Sequence, residues 1–381
     1  MDTFKRVPLR LETHKRIYYN QILLQKYIKR IDNLLEETPS MNTLEFAKSS
    51  LEYKELKANN SIEGITDDIE EIERVIRNEK DIPWENKERI INLHRGYRYI
   101  LSHDNINKDS LKELYAILSE GLLSEQSLKD MGDYYRNGPV YILMGGPGLN
   151  FIKGMPFDKV NYHMDKLFEF IDNYEAETEM DNFIKSQIMH FYFVYIHPYF
   201  DVNGRTARTV SMWHLINTKS YPYIIFNRAI SLNKMKYTHK LNEVRRRGDI
   251  TLFLRYMLKE VLKEFEKEII INNIKENADE EITGAESQIL EYLLSLKEEL
   301  SIFDLSIKYN AYNVYKSPEY LAQNYIYPLI EKGILVNNGL TGFELAKDTP
   351  DMDLAINSDL LDIEKEKIKS INLQKYISKQ L

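Results

Sequence analysis

Apolar residues recur with the spacing of an amphipathic helix over most of the chain, which predicts a mainly α protein. One hairpin is the main β element expected before residue 280, because β-branched and aromatic residues flank the turn sequence Gly145-Gly-Pro-Gly148. A flexible loop is the alternative for those four residues. The predicted helices lie near residues 12–37, 43–60, 67–79, 85–102, 109–120, 157–174, 182–197, 204–219, 235–247 and 249–277.

The pattern changes near residue 280, where the Glu- and Asn-rich stretch 272–281 marks a domain boundary. Residues 279–347 read as helices followed by two short strands with a turn at Asn338-Gly339, and they resemble a winged helix. Its stretch from Lys316 to Lys332 balances two lysines against two glutamates, so protein interaction is favoured over DNA contact. Residues 348–381 read as a polar, partly helical tail.

Composition narrows the class of protein. The 381 residues are 43% hydrophobic and 29% charged, which are values typical of globular domains. A net charge of −8 argues against a general nucleic-acid binder. No cysteine is present, which excludes disulfides, thiolate metal sites and a cysteine nucleophile. The N-terminus lacks the apolar stretch of a signal peptide and no run is long enough to span a membrane, so a cytoplasmic protein without membrane contact is expected.

Candidate chemistry is concentrated in residues 197–208, with the sequence HPYFDVNGRTAR. Pro198 should end the preceding helix and leave His197 at its exit, because proline disfavours helix in the residue before it. Helical periodicity resumes at Thr206, so the residues between lie at a helix N-terminus, where unpaired N–H groups bind anions. Arg205 and Arg208 are spaced to project from one face and contact separate phosphates.

Two further roles complete this interpretation. Asp201 can hold a Mg²⁺ ion that bridges phosphates, and His197 can act as general base on a hydroxyl. Each element taken singly has a structural alternative, since a histidine before proline is commonly structural and arginines near a helix start are commonly solvated. The combination within one short segment favours a phosphate site with a proton acceptor.

The segment resembles the Fic family signature HxFx(D/E)GN(G/K)RxxR. Tyr199 stands where the family usually has Phe, and Val202 stands where it usually has Gly. If the family backbone has positive φ at the position of Val202, a β-branched residue there costs on the order of 1–2 kcal/mol. The matching residues are His197, Asp201, Asn203, Gly204, Arg205 and Arg208.

Flanking segments extend the resemblance. Residues 132–136, 139–143 and 155–156 are similar to the family's flap, a β-hairpin that pairs with the backbone of the target protein. Residues 231–253 are similar to the closing helices, which implies that Tyr237 lies near the adenosine. A core tyrosine is the alternative for Tyr237.

Residues 59–64, with the sequence NNSIEG, resemble the inhibitory motif (S/T)xxxE(G/N) of Fic proteins that carry this helix ahead of the core. The resemblance implies that Glu63 pairs with Arg208 and displaces the γ-phosphate of ATP, since a carboxylate and a phosphate compete for one guanidinium. Asn59 replaces the usual hydroxyl residue, and we expect this replacement to weaken the inhibitory contact between Glu63 and Arg208. The alternative is a plain helix end in which Gly64 caps the helix and Glu63 faces solvent.

The resemblance therefore implies an adenylyltransferase that moves AMP from ATP to Ser, Thr or Tyr hydroxyls of target proteins docked on the flap, and of itself. Removal of AMP by the same site is implied as well, with Glu63 positioning water. Gly204 favours adenylylation over the phosphorylating relatives, which have Lys at that position. The implied roles are base for His197, Mg²⁺ ligand for Asp201, γ-phosphate ligand for Arg208, and phosphate contacts for Asn203, Gly204 and Arg205.

The corresponding domains are a helical region with the inhibitory helix (1–105), the Fic core (106–278), the winged helix (279–347) and the tail (348–381). A competing hypothesis is a winged-helix DNA-binding regulator whose degenerate Fic site only senses nucleotide. The sequence leaves open whether the protein forms a homodimer.

Overall fold

The computed structural model describes residues 3–65, 69–77, 87–144, 150–231, 233–278, 281–295, 302–310, 315–337 and 354–356. The chain divides into two compact units. The larger comprises Met1–Ile65 and Glu71–Glu264, and the smaller comprises Thr66–Glu70 and Phe265–Leu381. The protein is mainly helical, as the hydrophobic pattern predicts.

The helices up to residue 277 are α1 (Gln25–Glu37), α2 (Leu44–Glu52), α3 (Lys54–Ile62), α4 (Ile69–Ile76), α5 (Lys87–Ile100), α6 (Lys108–Ser119), α7 (Glu125–Lys129), α8 (Phe157–Asn173), α9 (Glu179–Ile196), α10 (Asn203–Asn217), α11 (Phe226–Ser231), α12 (Lys234–Arg247) and α13 (Thr251–Asn277). Short 3₁₀ turns occupy Pro39–Met41 and Tyr221–Ile225. Capping explains one shifted boundary: Thr178 and Asp181 form a capping box, so α9 begins before the predicted residue 182.

The predicted helix over residues 12–37 is wrong in its first half. Strand β2 (Arg16–Asn20) lies there, in an antiparallel pair with β1 (Phe4–Arg10), and helix begins only at Gln25. Burial alternates along both strands, with Val7, Leu9, Ile17 and Tyr19 buried. This period-two pattern runs directly into the helical one, so the sequence reads as one long helix.

The predicted helix over residues 43–60 is two helices, because Tyr53 leaves the helical conformation with φ −130° and ψ −56°. The second of them, α3, is short and buries polar side chains, among them Glu55, Asn59 and Asn60. A helix that buries amides and a carboxylate needs polar partners for them. Two of those partners are arginines, described below.

Helices α9 and α10 form the centre of the larger unit and pack against each other. Nearly every residue of both is buried, including polar ones such as Gln187, His190 and Arg208. A helix that is buried on all sides lies in the middle of a core. The loop that joins these two helices, residues 197–202, therefore runs from one buried helix to the other and carries the first half of the signature.

The expected hairpin is present. Strands β3 (Tyr141–Met144) and β4 (Asn150–Lys153) pair in antiparallel register, with Tyr141 opposite Lys153 and Ile142 opposite Ile152. Tyr141 and Phe151 are both exposed. The predicted turn at Gly145-Gly-Pro-Gly148 lies outside the described residues. We call residues 138–155 the flap.

The smaller unit has its own core, formed largely by residues of α14 (Gly284–Ser295), α15 (Ile302–Asn310), α16 (Pro318–Leu321), a π-helical turn (Ala322–Ile326) and α17 (Tyr327–Glu331). Strand β5 (Leu335–Asn337) pairs with β6 (Leu354–Ile356), which falls in the segment read as a tail. The predicted turn at Asn338-Gly339 lies outside the described residues, as does the rest of the tail. The winged helix stays a prediction. In the described parts of the chain, every helix is too short or too polar to cross a membrane.

Tyr199 lies in an aromatic cluster beneath the loop. Its ring stacks on Tyr115 with centroids 3.5 Å apart and touches Phe193 at a tilt. The side chain is fully buried, and its hydroxyl has no hydrogen-bond partner among the described residues. The hydroxyl distinguishes Tyr199 from the family's phenylalanine. Its burial therefore costs desolvation free energy on folding that no hydrogen bond offsets.

We predict that Tyr199→Phe raises the free energy of unfolding by about 1 kcal/mol, since it keeps the ring and removes an unpaired buried hydroxyl. The matched control is Tyr192→Phe, whose hydroxyl donates to the Arg10 carbonyl at 2.9 Å and should cost about 1 kcal/mol when lost. Urea unfolding followed by tryptophan fluorescence measures both. Equal losses in the two variants would mean that the Tyr199 hydroxyl has a partner.

Candidate active site

His197 ends α9 in the left-handed conformation, with φ 53° and ψ 62°. Its N–H donates to the Phe193 carbonyl at 2.9 Å, and its own carbonyl accepts from Arg136 Nε at 2.8 Å. The following Pro198 stops the helix here, as the sequence indicates. The backbone of His197 is thereby fixed at the start of the signature loop, residues 197–202.

Burial lowers the pKa of His197 from an ordinary value near 6.5 to about 4. The cations of Arg136 and Arg245 act in the same direction, while the Val194 carbonyl and Glu63 oppose them. Nδ1 is buried and makes no well-formed hydrogen bond to the described residues. The ring is therefore neutral at physiological pH, which is the state that a general base requires.

The loop is shaped by its own side chains. The Asn203 amide bonds both backbone groups of Tyr199, accepting from its N–H at 3.0 Å and donating to its carbonyl at 2.9 Å. Val202 is buried in the left-handed conformation with φ 64°, so the strain anticipated from its β-branched side chain is present. Asp201 is exposed, and its Oδ1 accepts from the Val202 N–H at 2.6 Å.

Glu63 occupies the anion position at the start of α10. Its Oε1 accepts from an Arg208 terminal nitrogen at 2.5 Å. A Cβ atom added to Gly204 would lie 2.5 Å from the same oxygen, so the carboxylate lies directly against the first turn of the helix. A helix N-terminus and a guanidinium thus converge on one carboxylate. Gly64 does end α3 with φ 86°, as in the alternative of a plain helix end, but the Glu63 carboxylate is paired with Arg208 instead of facing only solvent.

Opposing influences act on the Glu63 carboxyl. Burial alone would raise its pKa, but the Arg208 guanidinium, together with Arg205 and His197, brings that pKa below its ordinary value. The group is therefore a carboxylate at neutral pH. About 37% of its side-chain surface is exposed whereas Arg208 is almost fully buried, so water screens the pair from the Glu63 side only.

Asn59 is a second ligand of Arg208. Its Oδ1 accepts from Arg208 Nε at 2.8 Å, and its Nδ2 donates to the Tyr97 hydroxyl at 2.9 Å. The residue is fully buried. Because an amide carries both a donor and an acceptor, Asn59 connects Arg208 to the core on one side while Glu63 holds it on the other. These contacts give no support to the expectation that Asn59 weakens the inhibitory contact between Glu63 and Arg208.

Arg205 offers a contrast with Arg208. It is buried to a similar degree, yet its Nε has no partner among the described residues. Burial lowers its pKa, while Glu63 and Asp201 oppose that effect. A buried guanidinium N–H without an acceptor is costly, and an anionic ligand at the N-terminus of α10 would supply one.

Tyr237 is buried, and its hydroxyl is 2.7 Å from His190 Nε2. Burial lowers the pKa of His190 to about 3, so the neutral ring accepts and the hydroxyl donates. Burial also raises the pKa of Tyr237, and Arg208 opposes that rise. The Arg208 guanidinium is therefore close enough to act on the Tyr237 hydroxyl.

A Mg²⁺ ion is implied by the family. Mg²⁺ sites on nucleotides use one or two carboxylates together with substrate phosphates. Asp201, an exposed carboxylate in the signature loop, fits that arrangement. The described residues contain no group of three or more His, Asp or Glu side chains that would hold a metal without a substrate.

Arg136 was missed as a site residue by the sequence reasoning, although it lies in the segment that resembles the flap. An arginine placed between a glycine turn and a hairpin carries no local signal for a contact with His197, 61 positions away. The role of Asn59 was missed for the same reason, since Arg208 lies 149 positions further on.

Comparisons with known proteins match the part of the chain that carries the signature. Residues 105–215 match the model of the Fic/DOC family. These residues are a Fic/DOC domain. The protein adenylyltransferase fic-1 of Caenorhabditis elegans is 30% identical over 138 residues, which are 34% of this chain and 26% of that protein. The chain thus spans about a quarter of the length of this curated Fic relative.

Solved Fic structures share the fold. A Fic family protein from Desulfovibrio desulfuricans aligns with a TM-score of 0.55 at 19% identity, covering 87% of this chain and 96% of that one. A structure of Fic-1 from C. elegans aligns with a TM-score of 0.50 at 20% identity, covering 64% of this chain and 71% of that one. At these identities the likeness concerns the fold alone.

Val202 allows a direct test of backbone strain in the signature loop (residues 197–202), which we also call the Fic loop. We predict that Val202→Gly is more stable than Val202→Ala by about 1 kcal/mol, because both lose buried surface but only glycine accepts positive φ without cost. Val210 is the control, since it is equally buried but lies within α10. There alanine should be more stable than glycine by about 1 kcal/mol. The same order at both positions in urea unfolding would contradict strain at Val202.

The low pKa of His197 makes the free energy of unfolding depend on pH. The unfolded chain binds this proton near pH 6.5 and the folded protein only near pH 4, so protonation of His197 favours unfolding as the pH falls between these values. We expect the His197 imidazole signal in a ¹H–¹⁵N titration, assigned with His197→Gln, to have its midpoint near pH 4. A midpoint near the ordinary value would show that water reaches the ring freely.

Proposed function

We propose that the protein is an adenylyltransferase, which transfers AMP from ATP to Ser, Thr or Tyr hydroxyls of target proteins docked on the flap, and of itself. One observation carries the proposal. The Glu63 carboxylate occupies an anion position between the first turn of α10 and Arg208, beside the neutral His197. That position suits a phosphate, and a neutral imidazole suits the deprotonation of a hydroxyl.

The reaction proposed is an in-line displacement. The target hydroxyl oxygen attacks the α-phosphorus of ATP, His197 takes the hydroxyl proton, and pyrophosphate leaves. Arg205, with its unpartnered Nε, and the backbone at Asn203 and Gly204 would hold the phosphates. Because the Asn203 amide is engaged with Tyr199, we assign its side chain to loop shape. Mg²⁺ held by Asp201 would neutralise phosphate charge.

Two observations favour AMP transfer among Fic chemistries. Gly204 leaves room for an anion at the helix start, whereas a side chain there would collide with the carboxylate oxygen of Glu63. The matched relative from C. elegans is named a protein adenylyltransferase. Tyr237, beside Arg208, is proposed to line the nucleotide site. Removal of AMP by the same site, with Glu63 positioning water, belongs to the proposal.

Autoinhibition by Glu63 follows from competition for one guanidinium. While Glu63 occupies Arg208, the γ-phosphate has no cation in its place, and ATP binds with its α-phosphate out of line. A misplacement of about 1 Å can cost about 10²-fold in rate. The winged helix is proposed as a protein-interaction module, since its candidate recognition segment carries balanced charge.

The test is labelling of the protein and of a host lysate with α-³²P ATP. Glu63→Gly should raise labelling by about 10-fold or more, and Glu63→Gly with Arg208→Ala should lose that gain. His197→Ala in the Glu63→Gly background should lower the rate by about 10²–10⁴-fold while ATP still binds.

Ser61→Gly is the matched control, because it puts the same flexible residue into the last turn of α3 but keeps the carboxylate. It should label like the unmodified protein. If Ser61→Gly activates as strongly as Glu63→Gly, release of the helix rather than of the carboxylate controls activity. Absence of labelling in every variant, with intact ATP binding, would reject AMP transfer.

A further inference from the structure

Arg136 is a buried cation beside the Fic loop. Its side chain is only 3% exposed and donates to three backbone carbonyls: Nε to His197 at 2.8 Å, and the two terminal nitrogens to Gly138 and Met155 at 2.6 Å each. No carboxylate pairs with it in the described parts of the chain. Burial lowers its pKa to about 10, which still leaves it charged at neutral pH.

These carbonyls belong to two different elements. Gly138 and Met155 are the two ends of the flap, and His197 ends α9. The backbone N–H of Arg136 also donates to the Pro198 carbonyl at 3.0 Å. One residue therefore holds two consecutive carbonyls of the Fic loop and both ends of the flap.

The base of the flap is tightly packed around this guanidinium. The Gly154 N–H donates to the Val140 carbonyl at 2.9 Å, which closes the hairpin just above Arg136. A Cβ on Gly154 would lie 2.5 Å from a Val140 methyl group and 3.7 Å from an Arg136 nitrogen. The two ends of the flap therefore have little room to move apart while the guanidinium stays in place.

The His197 turn depends on this contact for a physical reason. Carbonyls in the last turn of a helix have no partner within the helix, and a histidine in the left-handed conformation is held only if its surroundings compensate for the strain. A planar guanidinium offers donors in fixed directions, which a flexible ammonium does not. Arg136 meets the His197 carbonyl and both flap carbonyls in one rigid plane.

We propose that Arg136 is a positioning residue that joins the flap to the His197 turn, so that the docking strand and the base move as one unit. The inference rests on the proposed function in so far as His197 is the base and the flap receives the target. Contact of a target with the flap would then be transmitted to the imidazole through a single side chain. Arg136 also faces His197 with positive charge, as does Arg245, while Glu63 faces it with negative charge.

The matched control is Lys185, another buried cation whose hydrogen bonds within the described part of the chain go to backbone carbonyls. Its Nζ donates to the carbonyls of Ile171 at 2.8 Å and Tyr174 at 2.6 Å, at the end of α8. A variant at Lys185 removes a similar set of hydrogen bonds to carbonyls without changing the flap or the loop. We compare Arg136→Lys with Lys185→Met, both in the Glu63→Gly background.

Arg136→Lys should lower kcat for AMP transfer by about 10²-fold and change KM for ATP by less than about twofold, because the base is displaced while the phosphate site is intact. Lys185→Met should leave both within about twofold. Native-state hydrogen exchange should show faster exchange of the Gly154 and His197 amides together in Arg136→Lys, and of neither in Lys185→Met. Faster exchange of only one of these amides, or unchanged kcat, would overturn the inference.

Hydrogen exchange of the unmodified protein covers the case in which Arg136→Lys does not fold. If the flap and the His197 turn open as one unit, the Gly154 and His197 amides should show the same opening free energy at each of several denaturant concentrations. Unequal opening free energies would contradict the coupling. Loss of AMP transfer in every variant would reject the proposed function. Hydrogen exchange requires no catalysis, so the opening free energies of the two amides would still test the role of Arg136.

Discussion

Arg208 is the residue on which the candidate site depends. It lies almost fully buried in a helix that is itself buried on all sides, so its charge must be matched by a polar group from elsewhere. Glu63 and Asn59 of the α3 segment provide that match, and Tyr237 lies beside it. The same requirement supports the proposed role of Arg208 as a phosphate ligand when the carboxylate is displaced. One buried charge thus accounts both for the packing of α3 and for the anion position.

How much the sequence could predict follows from how local each signal is. The end of α9 at His197 and the start of α10 depend on Pro198 and on neighbouring residues, and the structure has both helices within a few residues of the prediction. The contacts of Arg136 and Asn59 join residues far apart in sequence, and no local rule reveals them. The N-terminal hairpin was misread because Ile17 and Tyr19 lead without a break into a helical pattern.

The loop between α9 and α10 is held in an unusual shape. His197 and Val202 both have positive φ, although neither is glycine. Such residues persist only where the surroundings fix them, and here the Asn203 amide, the Arg136 guanidinium and the aromatic cluster under Tyr199 do so. The loop is therefore prepared before any ligand arrives, which reduces the reorganisation required during a reaction.

The buried polar face of α3 limits how the proposed autoinhibition by Glu63 can be relieved. Glu55, fully buried near one end of this helix, pairs with the buried Arg228 of α11 at 3.0 Å. If the whole helix left, the buried Arg228 would lose this partner, and removing one member of a buried pair typically costs about 3–5 kcal/mol. Turning the partly exposed Glu63 side chain away from Arg208 avoids that loss. We therefore expect relief of the proposed autoinhibition to require only rotation of the Glu63 side chain, with α3 remaining in place.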